Sequence, residues 1–393
     1  MKKYQRLFKQ TIDYGLLVPV FFLVVIGLLV IYIATANDYP KLVTSVMVQQ
    51  IVWVLLGLSL AYLVMMFKTS FLWKVTPYLY ILGLLLMVLP LFLYSPALVA
   101  STGAKNWVTI SNTPLFQPSE FMKISYILAL ARVAVWWRPK LMASETLKED
   151  WLCLFYYGLV TLPVMMLLAL QKDLGTAMVF MAILAGVILM SGISRKILLP
   201  VIVTLVAIVA IFLIVFLMPG GKEFLFKMGM DTYQINRLSA WLDPFKYSAG
   251  IAYQQTQGMI SIGSGGAIGK GFNVLDLAVP VRESDMIFTV IAEDFGFLGS
   301  SMVLLLYLLL IYRMLLITLK SNNQFYTFIS TGFIMMISFH IFENIGAALG
   351  LLPLTGIPLP FISKGGSSLI TNLIGVGLVL SMSNQNYYYQ KKH

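Results

Sequence analysis

Apolar residues along this chain collect into long runs separated by short polar breaks. Gly15 to Ala36, Ser45 to Phe67, Phe71 to Tyr94, Trp151 to Leu170, Gly175 to Ser191 and Ile197 to Met218 are such runs. Most approach the roughly 20 residues that carry a helix across a bilayer core. Four more, at about Ser119 to Trp137, Met286 to Tyr312, Phe325 to Gly350 and Ser367 to Met382, bring the expected spans to ten. The pattern predicts an all-α polytopic membrane protein. Two breaks are long: Ser95 to Pro118, and the segment 219–285 between spans seven and eight, rich in glycine, aromatic residues and charge. Long connections in an otherwise economical chain are usually functional. No internal repeat stands out, which argues against inverted-repeat transporter architectures.

Composition agrees, with 59% hydrophobic and 11% charged residues in 393, where a globular domain has roughly 45–50% and about 25%. The first run is too long for a signal-peptide core and no small-residue cleavage site follows it, so it is expected to stay as a helix. The lone cysteine, Cys153, lies within an apolar run and reads as a small core thiol. With only His340 and His393 besides, a zinc or haem site of ordinary ligand type is not expected.

The net charge of +11 would suggest nucleic acid on a soluble protein, but its distribution decides otherwise. Sixteen Lys and Arg lie at one set of span ends, among them 68, 74, 132–148, 195, 196, 313 and 320, with both termini. The short loops at the other ends hold four: Lys41, Lys105, Lys172 and Lys364. This asymmetry predicts both termini in the cytoplasm and the two long loops outside. Of sixteen acids, only Glu145, Glu149 and Asp150, with Asp13 at the boundary, belong to the inner side. Ionisable residues at membrane depth are costly and point to function; they include Glu120, Lys123, Asp173, Glu293, Asp294 and Glu343, with Asp285 at a helix mouth.

Each polar motif has a structural and a functional reading. Gln117, Glu120 and Lys123 recur every three residues and share a helix face. Glu120 complements the helix dipole, and the Glu–Lys pair is equally suited to an anionic headgroup. Asp173 in Gln171-Lys-Asp-Leu-Gly-Thr176 reads as a helix cap. Gly263-Ser-Gly-Gly-Ala-Ile-Gly-Lys-Gly271 has Ser264 where a P-loop needs Gly and Gly271 where it needs Ser or Thr, and is either a flexible turn or a backbone nest approaching a phosphate. Asp285 in Glu283-Ser-Asp-Met-Ile-Phe288 is either the cap of the next span or a general base at the interface. Leu352 to Ser368 has three prolines and three glycines; irregular backbone at this depth is expected to line a cavity.

Taken together, GAKNW at 103–107, QPSE with Lys123, QKDLGT, GSGGAIGKG, ESDMIF and PLTGIPLPFISKGGSS resemble the SEDS family (shape, elongation, division, sporulation) nearly end to end. LPLTGIPLPF is closer to its elongation branch than to its division branch. The resemblance implies one transmembrane domain over 1–393 in a bacterial cell membrane. It also implies a glycosyltransferase that polymerises lipid II, partnered by a class B penicillin-binding protein transpeptidase among other elongation or division proteins. Carried over residue by residue, the essential carboxylate falls on Asp285, the Trp and Lys on Trp107 and Lys123, and the motif glutamate on Glu120. The chain departs from the pattern at Asn106 for Arg, Lys172 for Pro, Glu283-Ser284 for His-Thr, and Lys364 for Tyr.

On this reading Asp285 accepts the proton of the acceptor hydroxyl in an inverting transfer. The candidates for binding substrate are Trp107, Gln117, Glu120, Lys123, Arg237, Lys270, Ser363 and Ser367. The pyrophosphate leaving group needs positive charge from Lys123, Arg237 or Lys270, or from a divalent cation such as Mg; no tightly bound cofactor and no nucleic acid are expected. The alternative is a lipid II flippase, which requires polar residues through the full membrane depth; the runs Gly15 to Ala36 and Ile197 to Met218 carry almost none. A non-catalytic scaffold for a partner synthase is a third reading.

Overall fold

A computed structural model describes residues 13–111, 113–143 and 147–390. The terminal basic residues Lys2, Lys3, Arg6, Lys9, Lys391 and Lys392, with Glu145 and His393, lie outside the described residues. In chain order the helices are α1 (Tyr14–Asp38), α2 (Val43–Met65), α3 (Thr69–Val88), α4 (Pro96–Thr102), α5 (Pro118–Ala143), α6 (Leu147–Gln171) and α7 (Leu174–Ser191). They continue with α8 (Arg195–Leu217), α9 (Gly221–Lys227), α10 (Thr232–Leu242), α11 (Tyr253–Ser264), α12 (Ile287–Leu319), α13 (Gln324–Ala348) and α14 (Gly366–Gln390).

Among the described residues nine helices are long and apolar enough to cross a membrane. The chain is thus an all-α, multi-pass membrane protein. The fourth expected span is α5, which carries Glu120, Lys123, Arg132, Arg138 and Lys140 and falls short of that apolarity. Its burial explains this: Glu120, Lys123 and Tyr126 to Ala131 are covered by neighbouring helices, so an apolar lipid-facing surface is not demanded of them. One departure from the all-α expectation is a small antiparallel hairpin of β1 (Val108–Ile110) and β2 (Thr113–Phe116), just before α5.

The long helices pack α14 on α2, α5 on α3, α12 on α1, and α13 on α7, α5 and α12. Small residues allow the closest of these crossings: a Cβ at Gly377 would lie 2.4 Å from the Ala61 carbonyl. By contrast, α8 buries only Ile197 and Phe216. Alternation of the helices gathers their ends at two faces. At one, Asn37 meets Asn273 at 2.7 Å and Arg282 meets Asp38 at 3.0 Å. At the other, Arg313 meets Asp13 at 2.9 Å and Thr69 meets Gln385 at 2.8 Å.

Between α8 and α12 the chain forms α9 to α11 and then the glycine-rich stretch, which closes a break in α12. At Gly296 the backbone turns to φ 64° and ψ −158°, interrupting the helical ladder. Lys270 and Gly271 amides donate to the Glu293 and Asp294 carbonyls at 2.9 and 3.1 Å, and Phe297 and Leu298 amides donate to Gly266 and Ala267 at 2.9 and 3.1 Å. The freed backbone groups are satisfied by this stretch, as buried backbone requires. A Cβ at Gly269 would sit 2.1 Å from the Asp294 carbonyl, which is why glycine occupies this place. The stretch is therefore neither a flexible turn nor a phosphate nest: the amides of 269–271 already have acceptors in the protein.

Candidate active site

Asp285 lies one residue before the cap of α12. The cap position is Met286, and no side chain caps the helix, so the cap reading of Asp285 is overturned. Its carboxylate is half-buried and accepts from the Ser284 hydroxyl at 3.0 Å. Burial pushes the Asp285 carboxyl above the usual aspartate range; the Ser284 hydroxyl and the Arg237 guanidinium oppose that rise, and Glu283 adds to it. A carboxylate neither capping a helix nor locked in an ion pair, with its pKa raised by burial, has the properties of a general base.

Opposite it runs the irregular stretch after α13. A Cβ at Gly356 would stand 3.4 Å from Asp285 Oδ2, so Gly356 floors the carboxylate. Arg237 Nη1 donates to the Leu354 carbonyl at 2.6 Å, and its Nη2 donates to the Tyr233 hydroxyl. That fixes the guanidinium from α10 within electrostatic reach of both Asp285 and Glu343. Asn344 Nδ2 donates to the Asp285 and Ile357 carbonyls, each at 2.8 Å. Ser363, buried, donates to the Ser284 carbonyl at 2.7 Å and accepts from the Leu359 amide at 2.8 Å, so it braces the strand of chain that bears Asp285.

A second polar centre is set into α5 and α13. Lys123 Nζ lies 2.8 Å from Glu120 Oε1 and 3.1 Å from His340 Nε2. His340 Nδ1 is 2.6 Å from the Met336 carbonyl, so Nδ1 carries the proton and Nε2 accepts from the ammonium. The Gln117 amide donates to Ser367 Oγ at 3.2 Å, joining the start of α5 to the start of α14. Trp107 is half-buried at the entrance to β1.

The structure brings Asp285, Arg237 and Ser363 into one group and Glu120 and Lys123 into another, with α13 between them. It does not bring Lys270 to Asp285. Lys270 Nζ is held by Glu293 Oε1 at 2.8 Å and Asp276 at 3.0 Å, and Ser261 donates to the other Glu293 oxygen at 2.6 Å. Asp173 caps α7, accepting from the Thr176 amide at 3.0 Å. The positions that depart from the family pattern all find partners here. Asn106 donates to Asp173 at 2.7 Å, Lys172 pairs with Asp231 at 2.8 Å, and Glu283 pairs with Lys364 at 3.5 Å.

His340, Asn344, Thr355, Gly356 and Tyr233 escape a reading of the sequence. Each gains its meaning from a partner far along the chain, and only the i, i+3 and i, i+4 spacing of His340, Glu343 and Asn344 on α13 was available as a signal. Among the described residues no three of His, Cys, Asp and Glu gather as a metal site.

Comparison with known proteins bears on the family and the fold. The chain is 35% identical over 311 residues to the peptidoglycan glycosyltransferase MrdB of Escherichia coli, covering 78% of this chain and 77% of that one. Its fold matches a chain from a structure on the coordination of polymerization and crosslinking by a peptidoglycan synthase complex (TM-score 0.75, 29% identity, 96% of this chain and 99% of the other). It also matches the rod shape determining protein RodA of Thermus thermophilus (TM-score 0.65, 29% identity, the same coverage). Residues 14–388 match the FtsW/RodA/SpoVE family, described as cell cycle proteins, and the chain belongs to that family.

Proposed function

We propose that this chain, a peptidoglycan glycosyltransferase like its relatives, polymerises lipid II into glycan strands at the outer face of the cell membrane, with Asp285 as the base. The observation that carries the assignment of Asp285 is its placement: a half-buried carboxylate that caps nothing, with a hydroxyl, a guanidinium and a glycine floor around it. In the transfer, the acceptor sugar's O–H bond breaks and its proton goes to the Asp285 carboxylate. The freed oxygen bonds to the donor's anomeric carbon from the face opposite the leaving group. The bond from that carbon to the phosphate oxygen breaks, and its electron pair leaves with the lipid pyrophosphate. A single displacement inverts the anomeric centre. Arg237 and Lys123 are the cations at hand for the departing charge.

The outward placement is supported by the excess of Lys and Arg in short loops at the face opposite Asp285. The fold likeness to a chain of a synthase complex that couples polymerization to crosslinking supports a transpeptidase partner of the class B penicillin-binding type. The likeness to a rod shape determining protein supports a role in elongation and shape. Incubating the purified protein, alone and with that partner, with lipid II and resolving the products on a gel tests the reading. Glycan chains are expected from the unaltered protein and none from Asp285→Asn, which keeps the size and hydrogen bonding of the side chain. Near-normal turnover by Asp285→Asn would remove that residue from the mechanism.

A further inference from the structure

Glu343 is an acid at membrane depth that the mechanism above does not use. It is buried near the end of α13, yet no lysine, arginine or histidine forms an ion pair with it among the described residues. Its partner is instead a neutral hydroxyl: Thr355 Oγ1 donates to Glu343 Oε1. Thr355 directly precedes Gly356, the residue under the Asp285 carboxylate.

The rest of this stretch is held in the same manner, one side chain to one backbone group. Gln255 donates to the Leu352 carbonyl at 3.0 Å, Arg237 to Leu354 at 2.6 Å, and Asn344 to Ile357 at 2.8 Å. Residues 352 to 357 form no helix or strand, so side chains supply the partners that a regular element would have provided. Glu343 and Asn344 hold the two neighbours of Gly356, Glu343 through the Thr355 hydroxyl and Asn344 through the Ile357 carbonyl.

Resting on the proposed transfer at Asp285, we infer that Glu343 is a positioning residue. Through Thr355 it fixes the 354–356 backbone that holds Arg237 on one side and floors the Asp285 carboxylate on the other. In this role the side chain works as a hydrogen-bond acceptor, not as a proton carrier, and an amide oxygen serves equally well.

Three variants, Glu343→Gln, Glu343→Leu and Thr355→Val, separate this from other roles. They are assayed as full-length protein with its partner, for kcat and KM on lipid II and for amide hydrogen exchange over 352–366. Glu343→Gln should keep turnover within a few-fold of the unaltered chain and leave exchange unchanged. Glu343→Leu and Thr355→Val should each lower kcat by roughly 10- to 100-fold with a smaller change in KM, and speed exchange in this stretch. Glu343→Gln as damaging as Glu343→Leu would overturn the inference and make the carboxyl's proton the essential feature. Unchanged exchange in both Glu343→Leu and Thr355→Val would overturn it as well, because the stretch would then be held by other means. Exchange reports whether or not glycan forms, so an unaltered chain that polymerises nothing counts against the proposed activity while the positioning role is still decided.

Discussion

Lys123 Nζ lies 2.8 Å from Glu120 Oε1 one helical turn away, with side-chain exposures of 3% and 5%. In such surroundings the two charges depend on each other. Removing either alone strands the other, at a cost of about 3–5 kcal/mol. Glu120→Gln and Lys123→Met should therefore each lower thermal stability strongly, and the double variant should be less destabilised than the sum of the two. Strict additivity across the double-mutant cycle would mean that the pair does not interact.

The raised pKa of Asp285 sets a pH dependence with a definite sign. A base must be deprotonated, so polymerisation should rise with pH through a value above the usual aspartate range. Ser284→Ala removes a hydrogen bond that favours the charged form. It should move this acid limb to higher pH, and Glu283→Gln, which removes a like charge, should move it lower. Stability follows the same linkage. Folding raises the pKa, so the folded state holds more protons than the unfolded one and loses stability as pH climbs through the folded value. Asp285→Asn should thus melt no lower than the unaltered protein at neutral pH while being inactive. A melt well below it would mean that Asp285 serves the fold.

Lys270 separates a binding role from a structural one. Its ammonium neutralises Glu293, whose side chain has no exposure, at the point where the glycine-rich stretch closes the break in α12. Lys270→Met should destabilise the protein by about 3–5 kcal/mol through the stranded carboxylate. Adding Glu293→Gln should recover much of that loss and much of the activity. If the pair is stable but turnover stays low with a raised KM, Lys270 binds the pyrophosphate after all.

The spans were legible because bilayer length and apolarity are local properties of the sequence. α1, α2, α7 and α8 fall within a few residues of the runs that predicted them. α12 runs on to Leu319, past the expected Tyr312, since nothing after Tyr312 breaks a helix before Lys320. Asp285, Glu120 and Lys123 stood out because charge at membrane depth is rare. The break at Gly296 was not legible. The glycine there resembles any other in a helix, and its cause is a stretch some 25 residues earlier whose glycines read equally well as a turn. The Thr355–Glu343 contact was hidden for the same reason: a threonine beside a proline-rich stretch announces no partner, and the carboxylate it meets lies on the preceding helix. The departures Glu283 and Lys364 looked like two separate losses in the sequence, yet at 3.5 Å they form one ion pair, so each substitution accommodates the other.

The sidedness of the site can be tested without an enzyme assay. Asp285, Glu120, Asp173 and the segment between α8 and α12 lie at one end of the bundle, while Lys68, Arg138, Arg195 and Lys320 lie at the other. The bias in lysine and arginine predicts that this second end faces the cytoplasm. Cys153 is the sole cysteine and is buried, so a Cys153→Ala background leaves a silent protein for single-cysteine labelling. Ala249→Cys, exposed in the long segment, and Asn322→Cys, exposed in the turn between α12 and α13, report the two ends. With a membrane-impermeant thiol reagent on intact cells, Ala249→Cys should label and Asn322→Cys should react only after the membrane is opened. The reverse pattern would place Asp285 on the cytoplasmic side, and the proposed polymerisation of lipid II at the outer face would fail with the topology, whatever the arrangement of residues around the carboxylate.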